Sequence, residues 1–281
     1  MYMKIVEIET GVTIQNTANN LDKLLSKTLP EQYPQTSGFS WMIIGSSGSG
    51  KTTLLYDLMT KKTKDKSSYR KVFNKIFIIS PTIGNSSMKK DPFSTVPKGQ
   101  VWRELTLPIL IELEKTLQEE REEGNHSVVI FDDVGSQLRK SKAIELKMTQ
   151  MLQNRRHDFC SYFILLQKFK DAGTGIRNNL SHFTAFRFKS NKERGAVVEE
   201  LFPMIPKESN KIIDYIFEDD TGNNKYAFLY VDMSLSKRGS FIFHNSFNPL
   251  VITASEPKNK DDVVVTTKMV KKKKKGVADS Q

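Results

Sequence analysis

The residues best suited to chemistry lie in one glycine-rich loop. Residues 45–52 read Gly-Ser-Ser-Gly-Ser-Gly-Lys-Thr and fit the P-loop pattern G-x-x-x-x-G-K-[ST] without a mismatch. Glycines let the backbone turn several N–H groups inward, towards phosphate oxygens. Lys51 would then reach the β- and γ-phosphates, and the Thr52 hydroxyl would ligate Mg²⁺. The predicted nucleotide-binding residues are Gly45, Ser46, Ser47, Gly48, Ser49, Gly50, Lys51, Thr52 and Thr53.

Two neighbouring acids form a second candidate site. Asp132 and Asp133 directly follow the apolar run 128–131, which is typical of a buried strand. Because ligands bind at the carboxyl ends of parallel strands, both acids are expected beside the P-loop. Asp132 is predicted to hold Mg²⁺ through its water shell together with Thr52. Asp133 is predicted to polarise the water that attacks the γ-phosphate. Without the P-loop, two solvated acids that cap a turn would be the better explanation.

Gln167 and two arginines are further candidate catalytic residues. Gln167 ends the apolar run 159–167, where its amide could contact both the γ-phosphate and the attacking water; it could equally be a polar strand end. A ring ATPase needs an arginine donated across a subunit interface to neutralise charge on the γ-phosphate. Arg156 and Arg177 are the candidates. Each could instead bind DNA phosphate or cap a helix.

The elements expected to position these residues alternate between strands and helices. This alternation predicts an α/β fold whose mostly parallel sheet is sandwiched by helices. Strands are predicted at 39–44, 75–81, 127–133, 159–167 and 182–188, and a closing hairpin at 226–232 and 240–243. Helices are predicted at 18–27, after the P-loop, and at 107–123, 140–156, 193–201 and 207–217, with a loop and short helix at 171–180.

The additional strand at 75–80 indicates which branch of the P-loop proteins this is. It lies in sequence between the P-loop strand and the acidic strand, the layout of the branch that carries a second catalytic acid. Kinases and most GTPases lack that strand. The guanine-reading motif Asn-Lys-x-Asp is also absent, because residues 191–194 do not complete it. ATP is therefore the expected nucleotide.

Composition narrows the class of partner and compartment. The chain has 281 residues, a net charge of +11 and a sequence pI of about 9.5, which favours polyanionic partners such as nucleic acid. Cys160 is the only cysteine, which fits a reducing compartment and not secretion. No apolar run approaches the length of a membrane span. We expect an N-terminal β extension over 1–37, an ATPase domain over 38–250 and a disordered basic tail over 251–281, with lysines at 271–275.

Together these motifs resemble the genome-packaging ATPases of large DNA viruses and virophages, including the poxvirus-type branch, within the FtsK–HerA superfamily. The resemblance covers about half of the chain, residues 38–188. It rests on residues 45–53, 78–82, 130–133, 154–157, 165–167 and 176–179. It implies a RecA-like P-loop NTPase core and a homo-oligomeric ring around double-stranded DNA. It also implies ATP-driven translocation into a capsid, in the host cytoplasm, the virion or the nucleus. Asp133 stands where the family commonly has Glu.

Two other functions fit part of the pattern. A P-loop kinase would phosphorylate a small molecule or nucleoside, and would need an arginine-rich lid and no second acid at Asp133. An assembly switch would use its nucleotide state to build a complex with little turnover. ATPase activity with and without long duplex DNA distinguishes these functions from a DNA motor.

Overall fold

The computed structural model describes residues 23–27, 29–61, 68–82, 93, 95–204, 206–217, 226–234 and 242–250. Most of the predicted N-terminal β extension and the lysine-rich tail lie outside these residues. Within the described part of the chain, no helix is both long and apolar enough to cross a membrane.

The described residues form one sheet with helices on both of its faces. Its strands are β1 Ser40–Ile44, β2 Lys75–Ile79, β3 Val101–Trp102, β4 Ser127–Asp132, β5 Cys160–Leu166, β6 His182–Phe186, β7 Phe228–Asp232, β8 Ile242–Asn245 and β9 Asn248–Pro249. The helices are α1 Lys51–Thr60, α2 Leu107–Glu122, α3 Gly135–Lys140, α4 Lys142–Asn154, α5 Thr174–Arg177, α6 Asn191–Leu201 and α7 Pro206–Phe217.

The strand order places the P-loop, the two acids and Gln167 at one edge of the sheet. The sheet runs β3-β2-β4-β5-β1-β6-β7-β8-β9, parallel from β3 to β6 and antiparallel from β6 to β9. β5 therefore lies between β1, which leads into the P-loop, and β4, which leads into the two acids. After β1 the chain runs to β2 on one side of the sheet, whereas β6, the neighbour of β1 on the other side, leads away to β7. The carboxyl end of β1 is therefore a topological switch point, where such sheets bind ligands.

Alternation along the strands builds two cores. In β1, Trp41 and Ile43 pack on the face covered by α1, whereas Met42 and Ile44 pack on the face covered by the other helices. All four side chains are at most 1% exposed. Because both faces are covered, the central strands read as continuous apolar runs rather than alternating ones. The predicted mostly parallel, helix-sandwiched sheet is thus confirmed.

Helix ends account for two differences from the sequence-based expectation. The helix predicted at 140–156 begins at Lys142, because the Ser141 hydroxyl accepts a hydrogen bond from the Ile144 N–H and caps a new helix. The preceding turn forms α3, which was not predicted. The helix predicted over 18–27 is absent from its described part, because Leu24 forms an antiparallel bridge with Thr36.

The described residues before position 38 pack on the ATPase core. Leu29 is 5% exposed, and the Tyr33 ring lies 5.7 Å from that of Tyr69 and 6.5 Å from that of Trp41. The Tyr230 hydroxyl donates to the Gln32 carbonyl at 2.8 Å. The domain boundary at residue 37 stays a prediction.

Candidate functional site

The P-loop is built as a phosphate cradle between β1 and α1. Gly48 and Gly50 have φ angles of +73° and +105°, which residues other than glycine rarely adopt. Gly50 is the N-cap of α1, so the loop leads directly into a helix N-terminus, where anions are favoured. An added Cβ on Gly45 would lie 2.5 Å from the Ser49 hydroxyl oxygen and 2.9 Å from Phe186 Cβ. The loop is therefore held tightly against the end of β6.

Lys51 lies folded over the loop. Its Nζ donates to the carbonyls of Gly45 at 2.6 Å and Ser46 at 3.0 Å. Burial lowers the pKa of Lys51, while the carboxylates of Asp132 and Asp133 act in the opposite direction. An ammonium held this way, close to two acids, is positioned to exchange backbone carbonyls for phosphate oxygens.

Asp132 ends β4 on the face of the sheet that α1 covers. The Ser80 hydroxyl, which follows β2, donates to Asp132 Oδ2 at 3.2 Å and lies 3.1 Å from the Thr82 hydroxyl. Burial raises the pKa of Asp132; the hydrogen bond from Ser80 lowers it. The hydroxyls of Ser80 and Thr82 and the carboxylate of Asp132 thus form one polar site beside Lys51.

Asp133 and Gln167 meet across the ends of β4 and β5. Gln167 Nε2 donates to Asp133 Oδ1 at 3.0 Å, and the Asp133 backbone N–H donates to the Leu165 carbonyl at 3.1 Å. Asp133 has a φ of +54°, an uncommon backbone conformation for a residue other than glycine. Such conformations persist where the surroundings impose them, and they cluster at functional sites. Asp133, the predicted base, is therefore bonded directly to Gln167, the residue placed to sense the γ-phosphate.

The sequence around this site matches a known protein family. A protein-family model described as "Poxvirus A32 protein" matches residues 32–256, most of the 281-residue chain. The chain belongs to the poxvirus A32 protein family. The match spans the P-loop, both acids, Gln167 and the two candidate arginines. No curated protein matches the sequence.

Solved structures show what fold this A32-family chain shares. It is similar to B204, the DNA-packaging ATPase of Sulfolobus turreted icosahedral virus, with a TM-score of 0.53, 14% identity, and coverage of 74% of this chain and 98% of that one. A B204 from Sulfolobus turreted icosahedral virus 2 in complex with ATPγS gives a TM-score of 0.49 at 14% identity, covering 74% and 97%. EssC from Geobacillus thermodenitrificans gives 0.42 at 14% identity, covering 60% and 35%. The P-loop ATPase fold is thus confirmed.

A cavity of about 320 Å³ adjoins the P-loop of the A32-family chain at the ends of β5, β1 and β6. Gly45, Ser46 and Ser47 form one wall. Gln167 forms another, and the lining also includes three basic residues that the sequence did not single out, Lys168, Arg187 and Lys189, together with the acid Glu193. A cation just past the end of a strand is too common in sequences to identify a site. The Arg187 guanidinium donates to the Phe217 carbonyl, which leaves Lys168 and Lys189 as the cations of this lining nearest to an anion on the loop.

Arg156 lies at the opposite edge of the sheet from the P-loop. An added Cβ on Gly38, two residues before β1, would be 2.8 Å from Arg156 Cα. The P-loop begins after β1, so the two sites are separated by the length of that strand, roughly 20 Å. Arg156 therefore does not belong to the nucleotide site of its own subunit, and only an arrangement of several subunits would bring it to a P-loop.

Arg177 is held inside its own chain. Its Nε and Nη2 donate to the two Glu200 carboxylate oxygens at 2.6 and 3.0 Å, and its side chain is 10% exposed. Its guanidinium also lies 5.1 Å from the centre of the Phe169 ring. Bidentate pairs of this kind are strong and directional. Arg177 would have to give up that pair to contact a neighbouring subunit.

The oxygen groups at this edge suit a nucleotide with Mg²⁺. Mg²⁺ prefers a few carboxylate or hydroxyl oxygens and keeps several waters. Thr52 and Asp132 supply such oxygens, and the buried Ser49 hydroxyl has no hydrogen-bond partner among the described residues. The described part of the chain contains no group of three or more His, Cys, Asp or Glu side chains that could hold a metal unaided. Any Mg²⁺ would therefore need phosphate oxygens as ligands.

Proposed function

We propose that this chain is an ATP-hydrolysing motor that translocates double-stranded DNA into a viral capsid. The observation that carries the proposal is the contact of Gln167 with Asp133 at the strand ends beside the P-loop. A site that only bound nucleotide would not need a candidate base joined to a neighbouring sensor. The chain's membership of the A32 family and its likeness to a DNA-packaging ATPase support the cargo.

Each residue has a distinct part in hydrolysis. The P-loop N–H groups and Lys51 bind the β- and γ-phosphates, and Thr52 and Asp132 would hold Mg²⁺. Mg²⁺ held there would supply positive charge against the charge that builds on the phosphates. Asp133 accepts a proton from the attacking water. Gln167, whose Nε2 donates to Asp133 Oδ1, holds that carboxylate in position and can accept a hydrogen bond from the water through its amide oxygen. Because Gln167 contacts the base and lines the cavity beside the P-loop, it can report the nucleotide state to β5.

We infer a homo-oligomeric ring from the position of Arg156. An arginine that neutralises charge on the γ-phosphate must approach it, and Arg156 lies a strand length from its own P-loop. In a ring, the amino edge of one sheet can face the carboxyl edge of the next. The net charge of +11 suits a channel for DNA. We expect the ring in the cytoplasm of the infected cell or in the virion, docked on a capsid.

The two competing functions fit less well. A kinase that protects its substrate from water has no use for Asp133 as a base for water. An assembly switch with little turnover has no use for a base either. β5 lies between the P-loop strand and the acidic strand, and this order brings Gln167 to the γ-phosphate end in a motor.

The test is ATP turnover with and without long duplex DNA. The motor is expected to hydrolyse ATP faster with DNA and to lose this stimulation as salt rises, since DNA binding depends on counterion release. Lys51→Ala should abolish turnover. Lys61→Ala, at the exposed far end of α1, is the matched control and should keep it. DNA-independent transfer of phosphate to a small acceptor would contradict the proposal.

Mixing subunits tests the arginine in trans. Lys51→Ala subunits have an inactive P-loop but an intact Arg156, and Arg156→Ala subunits have the reverse. A mixture of the two should hydrolyse ATP although neither alone does. When Lys51→Ala subunits are mixed with Arg177→Ala subunits instead, the mixture should hydrolyse ATP no faster than the Arg177→Ala subunits do alone, because Arg177 stabilises its own chain. Recovery only with Arg177→Ala would reverse the assignment.

A further inference from the structure

The order of strands fixes the direction in which a nucleotide must lie. The acids and Gln167 stand at the ends of β4 and β5, on one side of β1. A triphosphate on the P-loop that presents its γ-phosphate to them must direct its base to the other side of β1, towards β6 and β7. The cavity beside Gln167, whose lining includes Lys168, Lys189 and Glu193, adjoins the first residues of the P-loop.

An aromatic pair stands on the β6 and β7 side. Phe186 ends β6 and is 4% exposed, and its register partner Phe228 begins β7, with 5.6 Å between the two rings. Because β7 is antiparallel to β6, the residue two positions before Phe228 lies beyond the same edge as the P-loop. That residue is Tyr226, which is 59% exposed.

Tyr226 adjoins the P-loop itself. An added Cβ on Gly50 would lie 3.5 Å from Tyr226 Cδ1 and 3.5 Å from Phe186 Cε1, which is ordinary van der Waals contact. One aromatic ring is thus buried under the loop, and the next is largely open to solvent beside it.

We propose that Tyr226 is the stacking platform for the base of the nucleoside triphosphate, with Phe186 as its buried support. The assignment rests on the nucleotide site of the proposed function and adds the residue that binds the base. Aromatic rings hold bases by stacking on their flat faces, which gives affinity without demanding a particular base. A purine, with two fused rings, gains more than a pyrimidine from such a surface.

Binding of ATP and of inorganic tripolyphosphate, each with Mg²⁺, separates the base from the phosphates. Tyr226→Ala is expected to weaken ATP binding roughly tenfold, the usual range of base stacking, and to leave tripolyphosphate binding unchanged. Tyr226→Phe keeps the ring and should bind ATP as the unaltered protein does. Tyr215→Ala, which removes another exposed tyrosine, on α7, is the matched control and should change neither.

Tyr226→Trp gives a second readout in the folded protein. Its fluorescence, compared with that of the unaltered chain and its two tryptophans, should change with ATP but not with tripolyphosphate. The assignment is overturned if Tyr226→Ala leaves ATP binding within twofold, weakens both ligands equally, or is matched by Tyr226→Phe. These measurements need no DNA, so they stand even if DNA does not stimulate turnover. Failure of the unaltered chain to bind either ligand would refute the nucleotide site itself.

Discussion

Asp133→Asn separates nucleotide binding from hydrolysis. Asparagine tolerates the φ of +54° at this position as well as aspartate does, and its amide oxygen can still accept from Gln167 at the observed 3.0 Å. The change therefore removes one negative charge and one proton acceptor while keeping the local structure. Because a positioned general base contributes about 10²- to 10⁴-fold, the hydrolysis rate should fall by that factor.

Single-turnover hydrolysis and equilibrium binding of ATP measure the two effects separately. Binding should stay within about fivefold, since the P-loop and Lys51 are untouched and one charge at a solvated edge contributes at most about 1 kcal/mol. Asp57→Asn makes the same charge change on the exposed side of α1, where Asp57 lies 4.0 Å from Lys61, and should leave the rate unaltered. Hydrolysis by Asp133→Asn at the normal rate would refute the assignment of the base, and loss of ATP binding would refute the claim that the change is local.

Three further predictions concern stability and reactivity. Gly38→Ala should lower the urea midpoint more than Gly124→Ala. Both glycines have a positive φ, but only at Gly38 would an added Cβ come within 2.8 Å of another backbone atom, Arg156 Cα. Equal effects would contradict this. Burial lowers the pKa of His182 and His244 to about 4, so the unfolded chain binds protons between pH 6.5 and 4 that the folded protein does not. The free energy of unfolding should therefore fall as pH decreases through that window, by at most about 3 kcal/mol per histidine, and a urea midpoint that rises from pH 7 to pH 5 would contradict it. Cys160 is 0% exposed, and its burial raises the pKa of the thiol. Ellman's reagent should therefore label Cys160 only in denaturant, and rapid labelling of the folded protein would refute this.

The strands and their polar ends were predictable because they depend on local pattern. Apolar runs that stop at Asp132 and Gln167 identify both the strands and the edge where they end. The break at Ser141 was not predictable, because serine is tolerated inside a helix and only the observed cap shows that it starts a new one. Amphipathic spacing alone therefore merged a separate turn with the following helix.

Contacts between distant residues required the sheet order. The hydrogen bond between Gln167 and Asp133 depends on β5 pairing with β4, which no local pattern specifies. The same holds for Tyr226, which reaches Gly50 only because β7 turns back along β6. The two arginines had equal standing as sequence motifs. Only the structure shows that Arg156 packs beside Gly38, at the other end of β1 from the P-loop, and that Arg177 pairs with Glu200.

Displacement of a third strand from duplex DNA tests translocation itself. A fluorescent oligonucleotide bound as a triplex to linear duplex DNA is released when a motor moves along the duplex through it. The account predicts release that requires ATP hydrolysis, with none from Lys51→Ala or Asp133→Asn subunits. DNA-stimulated ATP hydrolysis without any release of the third strand would contradict the claim that this chain moves DNA.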